Sequence, residues 1–169
     1  EHSSDTFCYL ITTSEKLAKS VNSMISNLLP RIQRASFVKS SLKNNGFIAI
    51  CKTQSDMIRL ANLLSPEHLQ IMTKNPESIS SKITSSGLIL LGNDTPSSAS
   101  DYVLGSNHIL PTNGFGKIRG SLSVLDFIKI STQVKCSKPS LSKLSKHLQV
   151  LTKAEGLFNH YESVRGRLK

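Results

Sequence analysis

A chain of 169 residues that is 38% hydrophobic and 19% charged has the composition of one globular domain with enough length for a sizeable core, which excludes disordered and fibrous classes. Its net charge of +10 admits nucleic acid, an anionic cofactor or an acidic partner, yet Lys16, Lys19, Lys39, Lys43, Lys52, Lys74 and Lys82 are scattered and aromatics are few, so the charge reads as a solvated basic surface and no nucleic-acid partner is expected. No apolar run approaches the roughly 18 residues of a membrane span, no signal peptide opens the chain, and three cysteines without CxxC spacing (Cys8, Cys51, Cys136) read as reduced, buried thiols of a cytoplasmic protein.

Residues 5–12 are β-branched and aromatic and predict a strand. From Ser14 onward Leu17, Val21, Met24, Ile25 and Leu28 recur at helical spacing until Pro30 stops or kinks the helix. A second helical piece is expected over Ser36–Leu42, closed by Asn44-Asn45-Gly46. GFIAIC, Gly46–Cys51, is a short continuous apolar run of the kind found in a strand covered on both faces. Thr53 with Asp56 forms a capping-box pattern, and Met57, Leu60, Ala61 and Leu64 mark one face of the helix it opens. Residues 68–73 predict another strand, Pro76 the first turn of a helix over Pro76–Ile83, and GLILLG, Gly87–Gly92, the clearest buried strand of the chain.

The resulting order, β-α-α-β-α-β-α-β with short connections, implies an α/β fold: a mostly parallel, incomplete Rossmann-like sheet with helices on both faces. Ligands in open α/β sheets gather beyond the carboxyl ends of the strands, so the segment Asp94–Thr112 is expected at that edge. Farther on, Ser121–Ile130 reads as extended and Ser137-Lys138-Pro139 as a linker. Leu141, Leu144, Leu148 and Leu151 mark a helix over Ser140–Glu155 with Gly156 as its stop, and Asn159 is placed to cap a last helix bearing Tyr161, Val164 and Leu168. The organisation expected is an α/β domain over residues 1–131 and a C-terminal helical hairpin tail over 132–169, whose apolar stripe needs a partner.

The chemistry-bearing residues are dispersed. Ser100–Thr112 packs an acid, a phenol and a histidine around Gly105-Ser106-Asn107, an irregular segment of the kind that displays functional side chains. Its Asp101 and His108 are suitable metal donors and are read as half of a metal site. Glu67-His68 offers two groups able to move protons, but adjacent strand side chains face opposite ways unless Pro66 introduces a turn. Glu155 and His160 flank Gly156; on a continuous helix they would sit roughly 140° apart, and only the break lets them converge. His2, taken alone, reads as a solvent-exposed terminal residue, and His147 as surface. There is no GxGxxG, GxxxxGKS, GxSxG or HExxH motif. From residue chemistry alone the reading ends at a metal or acid–base site on an α/β domain.

Taken in order, several segments resemble histidinol dehydrogenases: Ser65-Pro66-Glu67-His68-Leu69, Gly92–Pro96, Asp101-Tyr102 through Gly105–Thr112, Ser121–Val124 with Asp126-Phe127, and Glu155-Gly156-Leu157 with His160. The resemblance implies zinc-dependent oxidation of L-histidinol to L-histidine through the aldehyde, with two hydride transfers to NAD, by a homodimer. By position, Glu67 and His68 match the family's acid–base pair; Asp101, His160 and His2 match zinc ligands; Glu155 and His108 match substrate-binding positions, as His2, His68, Asp101 and His160 also do. It further implies that a fourth ligand lies upstream of residue 1, that the tail is exchanged between subunits, and that the N-terminal half and the NAD-binding domain lie outside this chain. The chain is therefore expected to be a C-terminal fragment, inactive alone. Departures from the family pattern are Ser100 for a glycine, Ser97 for an acidic residue, Ser106 for a threonine, and a looser match at Gly116–Gly120. The competing expectation is a non-catalytic basic interaction module that keeps the fold.

Overall fold

A computed structural model describes residues 2–169. They form two compact units, one reaching to Asp126 and the other spanning Phe127–Lys169. The first holds all the strands. β1 (Cys8–Thr12) pairs in parallel with β2 (Gly46–Ile50), from Cys8 opposite Gly46 to Thr12 opposite Ile50. The crossover between them contains α1 (Glu15–Leu28), a 3-10 turn at Leu29–Arg31, and α2 (Ala35–Asn45). Ser14 caps α1 by accepting the Leu17 N–H, and Pro30, unable to donate, sits in the turn that ends it. α2 runs on to Asn45 and passes directly into β2, so Asn44-Asn45 belongs to the helix rather than closing it.

α3 (Gln54–Leu64) is capped as its sequence predicts: Thr53 Oγ1 accepts the Asp56 N–H at 3.1 Å and donates to Asp56 Oδ2 at 2.8 Å. β3 (His68–Ile71) pairs in parallel with β4 (Leu88–Leu91), His68 opposite Leu88, with α4 (Pro76–Ser80) between them. The α/β class and the parallel pairing hold, but the four strands among the described residues make two two-stranded sheets instead of one. Each strand therefore has a single hydrogen-bonded neighbour, and the apolar residues that would line a continuous sheet lack cover. Phe47 and Ile50 of β2, expected to be buried on both faces, are 40% and 51% exposed. The buried apolar residues among those described are Ala18, Ala61, Ile71, Ile79 and Leu90, a small core for a chain of this length. Cys8 and Cys136 are free and exposed rather than buried.

Residues 121–130 do not extend. Ser123 and Asp126 bond to local backbone and wind Val124–Phe127 into a 3-10 turn, a local alternative to strand pairing. In the second unit, α6 (Lys138–Ala154) starts earlier than expected: Ser137 accepts the Ser140 N–H at 3.2 Å and Pro139 occupies the first turn, so Ser137-Lys138-Pro139 is a helix start and not a linker. Gly156, at φ +73°, ends it. α7 (Phe158–Leu168) begins with Leu157 as its cap residue, which leaves Asn159 inside the first turn and not at the cap. α6 and α7 pack on each other, with Tyr161, Val164 and Leu168 half-buried. Leu144 and Leu151 remain 56% and 60% exposed, so α7 does not cover the whole leucine stripe. Among the described residues no helix is long and apolar enough to cross a membrane.

Candidate active site

The site begins where α3 ends. Ser65 turns the chain at φ +48°, is almost fully buried, and donates from Oγ to the Gly114 carbonyl at 3.2 Å. The Pro66 carbonyl accepts the Gly87 N–H at 3.0 Å and the Glu67 carbonyl accepts the Leu88 N–H at 2.8 Å. Glu67 thus precedes β3 while His68 opens it, and strand alternation does not force their side chains apart. His68 Nδ1 lies 4.0 Å from Glu67 Oε1. Its other ring nitrogen, Nε2, lies 3.4 Å from Asp101 Oδ1. One imidazole stands between two carboxylates, with the His68 and Asp101 side chains each 22% exposed and that of Glu67 40%.

Asp101 arrives by way of a loop that leaves the carboxyl end of β4. Thr95 Oγ1 donates to the Leu91 carbonyl at 2.7 Å, and α5 (Ser97–Ser100) follows. Ser100 is 1% exposed and donates to the Ser97 carbonyl at 2.6 Å; its own carbonyl accepts Ser106 Oγ at 2.6 Å. All three serines that depart from the family pattern are thus joined by hydrogen bonds. The loop then delivers Asp101 to the first residue of β3. The expected position at the carboxyl edge is corrected: the pair meets at the amino end of the β3–β4 pair, because the loop returns along strands only four residues long.

At that end three segments cross with little space. A Cβ placed on Gly87 would lie 2.8 Å from the Glu67 carbonyl oxygen and 3.0 Å from Pro111 Cδ. One placed on Gly116 would lie 3.0 Å from Gly87 N and from Ser85 O. A side chain at Gly87 would force the backbone that carries Glu67 to shift, and one at Gly116 would be tight. Sequence reading assigned no role to Gly87, Gly116 or Ser65. The glycine immediately before a buried strand was the available signal.

Of the other candidates in the first unit, neither His108 nor His2 bonds to this cluster. His108 is exposed on the same loop, and His2 is exposed, with Arg34 donating to its backbone carbonyl at 3.2 Å. Glu155, exposed, is the C-cap residue of α6, and His160, exposed, lies in the first turn of α7; both belong to the second unit. His147 is exposed, as expected. Among the described residues no three His, Cys, Asp or Glu side chains gather closely enough to hold a metal ion. Carboxylate and imidazole are donor types suited to zinc; His2 and Asp101 belong to the first unit and His160 to the second.

The chain matches the family model described as histidinol dehydrogenase over residues 1–168. It is 37% identical over 169 residues to histidinol dehydrogenase of Methanocaldococcus jannaschii, covering 100% of this chain and 39% of that protein. With the enzyme of Legionella pneumophila it shares 38% identity over 168 residues, covering 99% of this chain and 39% of the relative. Among solved structures, histidinol dehydrogenase from Elizabethkingia anophelis superposes with a TM-score of 0.85 at 34% identity, over 99% of this chain and 38% of that one. The chain therefore spans 39% of the length of these curated relatives.

Proposed function

Because the chain belongs to the histidinol dehydrogenase family, we propose that it supplies the acid–base residues of an enzyme that oxidises L-histidinol to L-histidine with NAD. The observation that supports this reading is the imidazole of His68 lying between Glu67 and Asp101. Held by its position between the two carboxylates, His68 is placed to accept the proton released as the substrate alcohol loses hydride. Glu67 takes a proton from the water that adds to the intermediate aldehyde, and His68 acts again when the hydrate is oxidised. NAD, when bound, supplies the hydride acceptor for each of the two steps.

Asp101 approaches His68 through Oδ1, and in this reading Asp101, His2 and His160 would hold zinc. Zinc, when bound, supplies a fixed anchor for the substrate's nitrogen atoms. Glu155 and His108 complete the substrate contacts. The uncovered leucines of α6 support a homodimer in which the tail serves the partner subunit's site. Three free thiols support a reducing, cytoplasmic setting.

The test places Glu67→Gln and His68→Ala in the full-length enzyme. Loss of a positioned acid or base lowers kcat by roughly 10²–10⁴, and zinc content stays at the wild-type level. Wild-type turnover in both variants would refute the assignment.

A further inference from the structure

The geometry points to Asn107 as the positioning residue that presents His108 to the substrate, an inference that rests on the substrate-contact reading of His108 given above. His108 is exposed, and its side chain makes no hydrogen bond among the described residues, so its own contacts do not hold it in place. Its neighbours do. Asn107 Oδ1 accepts the Ile109 N–H at 2.8 Å, spanning His108 in an Asx turn. The other end of the same amide, Nδ2, donates to the Leu122 carbonyl at 3.0 Å. The Leu122 N–H returns a bond to the Ile109 carbonyl at 2.9 Å.

Three hydrogen bonds therefore close a small ring around the His108 backbone. The segment they tie to is itself anchored, since the Ser123 N–H donates to Asp126 Oδ2 at 2.7 Å and Arg119 holds Asp126 Oδ1 at 2.8 Å. Asn107 needs both ends of its amide for this. Aspartate keeps the acceptor for Ile109 but loses the donor and sets a carboxylate against the Leu122 carbonyl. Alanine loses both bonds. A side chain that binds substrate without binding partners of its own depends on the backbone beneath it, and a displacement of about 1 Å at such a position can cost about 10²-fold.

The experiment is a double-mutant cycle in the full-length enzyme: Asn107→Ala, His108→Ala and the pair, with KM and kcat for L-histidinol, zinc content and melting temperature measured for each. Asn107→Ala is expected to raise KM about tenfold with kcat within about threefold, and zinc content unchanged. The double variant is expected to match His108→Ala alone, because Asn107 acts through His108. Additive effects on KM would overturn the inference, as would a silent Asn107→Ala beside a damaging His108→Ala. A silent His108→Ala would instead overturn the pocket reading, and the inference with it. If Asn107→Ala does not fold, Asn107→Asp carries the same cycle, with a rise in KM abolished by His108→Ala as the supporting result and an additive rise as the contrary one.

Discussion

His68 Nε2 and Asp101 Oδ1 lie 3.4 Å apart although 33 residues separate them in the chain. Neither residue could be paired from spacing alone. The contact forms because the loop after β4 turns back along its own sheet, and it makes the imidazole and the carboxylate a contacting pair.

That contact has a measurable consequence. Asp101→Ala in the full-length enzyme removes a proposed zinc donor and one of the two carboxylates beside His68. Elemental analysis should find less zinc per subunit, and turnover should fall with it. Full zinc stoichiometry in the variant would count against Asp101 as a ligand.

The glycine crossing behind Glu67 makes a different demand. Gly87→Ala forces a methyl group to within 2.8 Å of the Glu67 carbonyl, and backbone cannot yield as a flexible side chain would. Overpacking of this kind costs about 1–3 kcal/mol. A lowered denaturation midpoint together with reduced kcat is expected. A variant as stable and active as wild type would show that the segments separate easily.

Thr53→Ala tests a feature remote from the site. It removes the cap of α3, both the bond accepted from Asp56 N–H and the one donated to Asp56 Oδ2. Loss of a threonine cap costs about 1 kcal/mol. Thermal or urea melts should record that loss while kcat and KM hold their wild-type values; an unchanged melt would mean the α3 terminus frays without penalty.

Asp126 sets an acid limit on the 121–126 segment. The Ser123 backbone N–H, followed by the Arg119 charge and further bonds from Ser123 and Arg119, holds its carboxyl below the ordinary aspartate value of 3.8. Since the folded value is the lower one, the stabilisation is present above that ordinary value and is lost as pH falls through the depressed one. An NMR titration of the Asp126 carboxyl should give a midpoint below 3.8. Arg119→Met should raise it only part of the way, because the backbone donor remains. A wild-type midpoint at the ordinary value would show that the turn does not persist in solution.

What could be read locally was decided locally. Ser14 and Thr53 cap helices and Pro30 and Gly156 end them, because each depends on bonds within a few residues of sequence, and the strands at residues 46–50 and 88–91 were legible from their continuous apolar runs. Errors fell where two local alternatives compete: Ser123 and Asp126 chose a turn over extension, and Pro139 started a helix where a linker was expected. The chemical character of the site was also legible, since Glu67, His68 and Asp101 stand in recognisable segments. Only the tertiary structure decided how the strands divide into two pairs, that Asp101 meets His68 at the amino end of β3, and that Asn107 ties Ile109 to Leu122. Each of these depends on a partner far along the chain, and no residue's own chemistry specifies which distant backbone will come to meet it.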